Sequence, residues 1–575
     1  MPTSSMSVTA AETLQDRSAH AADGVAPIDP PLTVTDASST AWDAQCDVLV
    51  AGFGAAGAAA AISAREQGAE VLVIDRFDGG GATAKSGGVV YAGGGTAQQK
   101  AAGYDDTPEQ MFNYLRQETG DAVTPETLRR FCEDSTGLIE WLESIGADFR
   151  STEPPPKTSY PKDGIYLYYS GNEAVPAYAE HARPAPRGHR TRGSWLSGKA
   201  LFEFLSRRVQ DLGIEVRPQT AARRLIVDPA GQVLGLEVHQ LPPGSAAARQ
   251  HRKLIRRAES LHNVAPGWAD RLRARARALE LTAARPLKLR ARHGVILSTG
   301  GFIFNREMVT QYAPRFQQTM RLGTTGCDGS GIRLGQSAGG VAARMEKVSA
   351  WRFINPPTAW PTGIVVNRAG RRFCNEQVYG AKLGVEMCED HDGRAWLILD
   401  RRLRRKALRE ALFGGLWFFQ SVPAFFLMLF APRARTPEQL AARIGVDPAG
   451  LRASLDAYNR AAAGECADET GKAPDFRAEL REAPYFALDI SAGSSSFPCP
   501  SITLGGLRID EDNGQVIDRD GRPIAGLYAA GRTAVGIASN GYVSGLSIAD
   551  CLWSGRRAGS HCAALARSAQ AAAAN

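Results

Sequence analysis

Short apolar runs, each closed by glycine or by an acid, recur along the chain: "CDVLVAGFG" (46–54), "AEVLVID" (69–75), "IEVRPQTAARRLIVD" (214–228), "GQVLGLEVH" (231–239), "HGVILSTGGF" (293–302) and "GLYAAGR" (526–532). These read as strands. Helix-like stretches lie between them, among them the alanine-rich segment after Gly57 and "LFEFLSRRVQDLG" (201–213). Strand, helix and strand in alternation predict an α/β protein.

The first strand runs into Gly52-Phe-Gly54-Ala55-Ala56-Gly57 and the second ends at Asp75 and Arg76. Gly52 permits the tight turn, Gly54 lets backbone amides approach a pyrophosphate, and Gly57 lets the helix close on the strand. The helix N-terminus adds partial positive charge. Asp75 stands where a carboxylate receives ribose hydroxyls. A glycine triad alone is a weak signal; with strand, helix and acid in register it specifies a dinucleotide. The fold class expected is a discontinuous Rossmann-type domain with an inserted α+β cap.

Composition changes this picture little. The 575 residues are 44% hydrophobic and 22% charged with a net charge of +7, ordinary for a globular protein and no signature of nucleic-acid binding. Nine scattered cysteines include no Cys-x-x-Cys pair, so no metal site is expected and reduced thiols in a cytoplasm fit best. The N-terminal stretch has no apolar core of a signal peptide. Expected boundaries are a disordered tail 1–42, a cofactor domain 43–310 and 490–562, a cap 311–489, and a tail 563–575.

Two further stretches narrow the cofactor. "GGGATAKSGGVVYAGGGT" (79–96) is too glycine-rich for a packed element, and "SNGYVSGLS" (539–547) sets Tyr542 and Ser544 among glycines. With "HGVILSTGGF", "RFCNE" (372–376) and "GLYAAGR", these resemble the flavoproteins of the fumarate reductase and succinate dehydrogenase superfamily, over roughly residues 47–559. The resemblance implies FAD and a cofactor site at Gly52, Gly54, Ala55, Ala56, Gly57, Asp75, Arg76, Ala82, Thr83, Ser86, Gly87, Gly88, Ala222, Thr299, Gly300, Gly531, Arg532, Gly545, Leu546, Ser547 and Ile548. "ATAKSGG" has no flavin-attaching histidine, so the FAD is expected to be non-covalent.

Fumarate reductases carry an acid-catalyst arginine four residues after the "NE" motif, and here that residue is Gly380. "LYYSGNE" (167–173), "PAPRGHR" (184–190), "DGSGIRLGQSAGG" (328–340) and "GYVSG" (541–545) are similar instead to the FAD-dependent 3-ketosteroid Δ4-dehydrogenases. That resemblance implies a 3-ketosteroid substrate and a catalytic set of Tyr379, Tyr542 and Ser544. Desaturation between carbons 4 and 5 removes a proton made acidic by the ketone and a hydride that FAD accepts. A tyrosine of ordinary pKa near ~10 needs a relay to act as base at neutral pH. Tyr542 is read as base, Ser544 and Tyr379 as relay or orienting groups. Tyr168 and Tyr169 are read as packing residues. A Δ1-dehydrogenase and a reductase of an activated alkene remain alternatives, as does a flavoprotein that only binds steroid. The physiological electron acceptor is left open.

Two segments fall outside this scheme. Arg249 to Arg292 hold 13 Lys/Arg against three acids, and "ADRLRARARALEL" reads as a helix with an arginine face. It is either a solvated hairpin or a patch for anionic lipid or a partner. Residues 411–431 carry no charge and are flanked by "RRLRRK" and "RAR". Their length is that of a membrane span, yet the cofactor domain must close on one side of a membrane, and Gly414, Gly415, Gln420 and Pro423 interrupt a helix. Two readings stand: a roof over the substrate pocket, or peripheral docking to the cytoplasmic face of a membrane.

Overall fold

A computed structural model describes residues 24–152 and 159–574. The chain enters through β1 (Leu32–Thr33), β2 (Ala44–Ala51), α1 (Ala55–Glu66) and β3 (Val71–Ile74). A short strand β4 (Leu167–Tyr168) follows, then α2 (Gly198–Asp211), β5 (Glu215–Arg217), β6 (Thr220–Val227) and β7 (Val233–Gln240). A helical hairpin, α3 (Ala246–Leu261) and α4 (Pro266–Ala283), leads into the long strand β8 (Arg285–Leu297). The second lobe contributes β9 (Ile364–Val366), α5 (Gly380–Asp390), β10 (Trp396–Leu399), α6 (Arg401–Phe413), α7 (Phe418–Leu429), β11 (Arg433–Ala434) and β12 (Tyr485–Asp489). The chain returns through β13 (Gln515–Ile517), β14 (Pro523–Ala529) and the C-terminal helix α8 (Leu546–Ala574).

One nine-stranded sheet orders β1-β6-β7-β8-β2-β3-β5, with β14 also on β8 and β13 on β14. The sheet forks at β8. Arg285–Arg290 pair antiparallel with β7, while Val295–Leu297 pair parallel with Leu527–Ala529 of β14. Along its other side β8 is parallel to β2, so residues more than 200 positions apart form the floor beneath the first glycine turn. Helix α1 is buried from Ala55 to Ala64 against α8. A Cβ on Gly555 or Gly559 of α8 would come within 2.2 Å of Ala56 O and Ala60 O. Only glycine permits that approach, and it fixes where the N-terminus of α8 arrives. The second lobe is the antiparallel sheet β9-β10-β12-β11 with its own apolar core.

Several expectations need correction. The part of the expected tail that is described, residues 24–42, packs onto the domain: Val25 and Ala26 are buried, Ala26 N donates to Asp328, and β1 joins the sheet. Residues 1–23 lie outside the described residues. Beyond residue 562, α8 continues to Ala574 with Ala563 and Ala566 buried. In the basic segment, residues 285–292 belong to β8. The arginines of α4 do not share a face, because spacing by two sends alternate residues to opposite sides of a helix. Arg271 and Arg275 are exposed, whereas Arg273 and Arg277 are buried, donating to Thr325 Oγ1 (3.0 Å) and Val25 O (2.8 Å). Pro423 lies inside α7 without ending it; Gly414 and Gly415 form the turn before it. Ala424, Leu427 and Met428 of α7 reach the core, but its other face is open to solvent, so it is not simply a buried roof.

Candidate functional site

Gly52 leaves β2 with φ +107°, and a Cβ on Gly57 would lie 1.9 Å from Gly52 O, so the glycine pair sets how tightly helix meets strand. No acid stands in the first turn of α1. Its leading amides therefore present uncancelled positive potential. Ala55 N is satisfied by Thr83 Oγ1 at 3.0 Å. These amides open on a cavity of about 540 Å³, lined by Gly52, Gly54, Ala55, Ala56, Asp75, Arg76, Ala82, Thr83, Ala222, Thr299, Gly300 and Arg532 among others. A cavity with a positive helix end, an acid and apolar walls fits the chemistry of FAD.

The expected cofactor residues divide by what they do. Asp75 lines the cavity, but each of its oxygens already accepts a backbone amide, from Phe53 and Phe77, both at 2.8 Å. Arg76 also lines it while its guanidinium is consumed elsewhere, by Glu280 (3.0 Å), Asp328 (2.9 Å) and Gly24 O (2.7 Å). Its charge clamps α4 and residues 24–26 to the end of β3. Thr299 and Gly300 are tied to the second turn, Thr299 Oγ1 accepting Gly331 N and Gly300 N donating to Thr533 Oγ1. Ser86, Gly87 and Gly88 frame the site: Ser86 Oγ donates to Thr83 O and accepts from Gly88 N, and Gly87 lies under the Tyr160 ring. Gly531, bound to Ser554 Oγ, and Gly545, packed on Tyr91 N, shape the last turn. Leu546 is in the core, and Ser547 and Ile548 follow it in the first turn of α8. Arg532 is half-buried at the cavity wall with the Cys327 thiol at 3.5 Å.

Beyond the cavity the structure gathers three phenols near one hydroxyl. Ser544 Oγ lies 3.2 Å from Tyr168 OH, and Tyr379 and Tyr542 lie close enough for each to influence the other. Ser544 N donates to Ser170 O, fastening the last glycine turn to the loop after β4. Tyr379 is the residue capping α5. It follows "RFCNE", whose Arg372 and Glu376 join Asp468 and Lys472 in a buried cluster of two positive and two negative charges. That cluster pins the approach to Tyr379 without touching it. Tyr542 stacks beside Trp351, with ring centres 5.2 Å apart. Burial pushes its phenol up to about 12, against the opposing pull of the Arg532 charge and a backbone hydrogen bond from Gly545. Tyr168 and Tyr379 are likewise raised, first by burial and then by neighbouring phenols and, at Tyr379, the Tyr542 charge.

The expected Tyr379, Tyr542 and Ser544 thus lie near one another, and Tyr168, expected to pack, is fully buried and also reaches Ser544 with its hydroxyl. Leu167, Tyr168 and Ser170 are all buried and Tyr169 is half-buried, so no alternation along the sequence marked Tyr168 out. Asn172 was also missed. Its Oδ1 accepts Tyr379 N at 2.6 Å, its Nδ2 donates to Glu118 at 2.7 Å, and its own N donates to Tyr114 OH at 2.7 Å. It ties the flavin lobe to the cap beside the phenols. Next to it Glu173, accepting Gly171 N, is pushed up to about 7 by burial. At Gly380 an added Cβ would meet Phe353 at 2.7 Å and Arg352 O at 2.8 Å, which leaves no room for an arginine.

Comparisons agree with this geometry. The FAD binding domain family matches residues 47–547. A 3-oxo-5-alpha-steroid 4-dehydrogenase from Comamonas testosteroni is 45% identical over 88% of this chain and 96% of its own length. The crystal structure of the 3-ketosteroid-delta4-(5alpha)-dehydrogenase from Rhodococcus jostii RHA1, in complex with 4-androstene-3,17-dione, superposes with a TM-score of 0.77 at 30% identity, covering 93% of this chain and 100% of that one. A 3-ketosteroid delta1-dehydrogenase from Sterolibacterium denitrificans shares the fold, with a TM-score of 0.63 at 21% identity over 91% of this chain and all of its own.

Proposed function

The chain belongs to the FAD binding domain family, and from that premise we propose that it desaturates 3-ketosteroids between carbons 4 and 5, acting on the 5α series. Support comes from the relatives above and from a site built of neutral hydroxyls rather than of arginine and histidine. FAD, when bound, accepts the hydride from carbon 5. Gly52, Gly54, Thr83 and the amides of α1 hold its pyrophosphate, and Asp75 its ribose.

Tyr542 takes the proton from carbon 4. The observation that carries this assignment is that the Arg532 cation and a backbone hydrogen bond from Gly545 both oppose the burial of Tyr542, so that its phenol is raised less than those of Tyr168 and Tyr379. Tyr168, on Ser544 Oγ, and Tyr379, both held protonated, act as donors that orient the ketone and pass the proton on. Asn172 and the charge cluster around Glu376 position Tyr379. Trp351 backs Tyr542 and helps exclude water. The reading includes contact with a membrane, from which a steroid would be drawn. Among the described residues no helix is long and apolar enough to cross one.

Replacing Tyr542 with Phe tests the assignment. The variant should keep flavin and steroid binding while turnover falls about 100-fold or more, the scale of a lost acid–base group. Turnover within a factor of two of wild type would make Tyr542 a pocket wall. Anaerobic addition of a saturated 5α-3-ketosteroid should bleach the flavin; bleaching by a Δ4-3-ketosteroid alone would move the reaction to carbons 1 and 2.

A further inference from the structure

We propose that the α6–α7 hairpin together with Trp195 is a docking surface for an anionic lipid bilayer. Helix α7 is apolar on both sides. Ala424, Leu427 and Met428 enter the core, while Phe418, Val422, Phe426 and Leu429 form a stripe at helical spacing that faces solvent. A helix on a protein surface ordinarily turns polar residues outward. The stripe extends past both ends of the helix, to Phe413, 84% exposed, and Phe430, 75% exposed. Contiguous apolar surface of this kind marks a binding face.

Helix α6 supplies the charge. Arg402, Arg405 and Arg409 lie along its exposed side, and the same side continues into Leu412 and Phe413. Residues 401–435 hold eight Lys/Arg and a single acid, Glu410, which is occupied by Thr358. The two helices run antiparallel, Arg404 Nε donating to Met428 O at 3.1 Å, so the arginine side of α6 flanks the apolar stripe of α7 along its length. A basic row beside an apolar one suits a hairpin lying in the plane of a bilayer surface, arginines on phosphate and rings at the acyl boundary. At about 1.5 Å per residue, the 12 residues of α7 extend roughly 18 Å, enough to lie in the interface and too short to cross.

Trp195 gives an independent indication. It is 51% exposed yet held at φ +61°, a conformation costly for a bulky side chain. Its carbonyl is pinned by Arg190 Nη2 at 2.7 Å and by Tyr160 OH at 3.0 Å. Its ring is thereby set on Phe418, 5.1 Å between centres, and Trp417, 6.1 Å. The fold thus expends strain to place an indole on the aromatic turn, where a tryptophan suits the headgroup boundary. A second copy of the chain is a poorer occupant. Two-fold pairing of this face would bring the arginines of α6 toward their own equivalents.

The test uses full-length, FAD-loaded protein and vesicles of phosphatidylcholine alone or with one third phosphatidylglycerol. Wild type should float with the anionic vesicles at low salt, be released at high salt, and ignore the zwitterionic ones. Arg405→Ala combined with Arg409→Ala should weaken binding about tenfold or more. Phe413→Asp combined with Phe430→Asp should abolish it with flavin content and size unchanged; if that pair misfolds, Phe413→Ser with Phe430→Ser serves. Wild type that stays unbound at low salt overturns the proposal. So does a dimer in solution that the phenylalanine variants dissolve, which would give this face to a second copy. Binding is read without turnover, so failure here leaves the catalytic reading standing.

Discussion

In the hairpin α3–α4, Arg273 and Arg277 turn inward, Arg273 pairing with Asp270 at 2.8 Å; in α6–α7, Arg402, Arg405 and Arg409 stay at the surface and the aromatic residues turn outward as well. Both segments are strongly basic. What separates them is the supply of partners. Glu280 of α4 receives Arg76 and the His251 ring, Asp270 receives Arg273, Arg306 and Arg321, and the carbonyl of Val25 receives Arg277. Around α6 the one local acid is already bound. A cation enters a protein interior where fixed acceptors await it, and otherwise remains in water whatever the local density of charge.

The contrast can be broken at its strongest point. Glu280→Ala leaves Arg76 and His251 short of a partner and should cost about 3–5 kcal/mol in urea unfolding, with loss of bound flavin. The surroundings hold the Glu280 carboxyl down at about 2, burial opposing and Arg76 and His251 prevailing. Its contribution is therefore present above the ordinary carboxylate range and is lost as pH falls through 2. The gap between wild type and variant should be constant at neutral pH and close between about 4.5 and 2. Leu427→Ala removes the inward side of α7 and should cost about 2–5 kcal/mol by the same measurement. Arg273→Ala, which leaves Thr325 Oγ1 without its donor and takes one of three arginines from Asp270, should cost about 1–3 kcal/mol. At the small end, Arg275→Ala and Arg405→Ala should each move stability by less than about 0.5 kcal/mol. Arg405→Ala costing as much as Arg273→Ala would erase the distinction between the hairpins.

These arginines also mark where reading the sequence stops. The turn from Gly52 to Gly57 is legible because its pattern fits within six residues, Gly52 turning at φ +107° and Gly57 closing on Gly52 O. Tyr542 and Ser544 stood out through the resemblance of one short turn that holds both. Tyr168 depends on Ser544, 376 positions away, and Asn172 depends on Tyr379, 207 positions away. No local pattern distinguishes such residues from packing until the lobes are assembled. Arg273 and Arg275 are two residues apart in the same repeat, and only the location of distant acceptors decides which is buried. The expected tail failed similarly, since the sequence of residues 24–42 is unremarkable and its order comes from Asp328, Arg223 and Arg277 across the domain.

The contact between α1 and α8 has a consequence for how the chain is made. These helices are about 480 residues apart in sequence, yet each covers the other's buried face. At roughly 5–20 residues per second, a ribosome needs on the order of 25–100 s between completing the first and delivering the second. Throughout that interval the alanine face of α1 and the open edge of β8 have no cover, while the second lobe, contiguous between them, can already fold. The flavin lobe therefore cannot bury its first helix until its last one emerges.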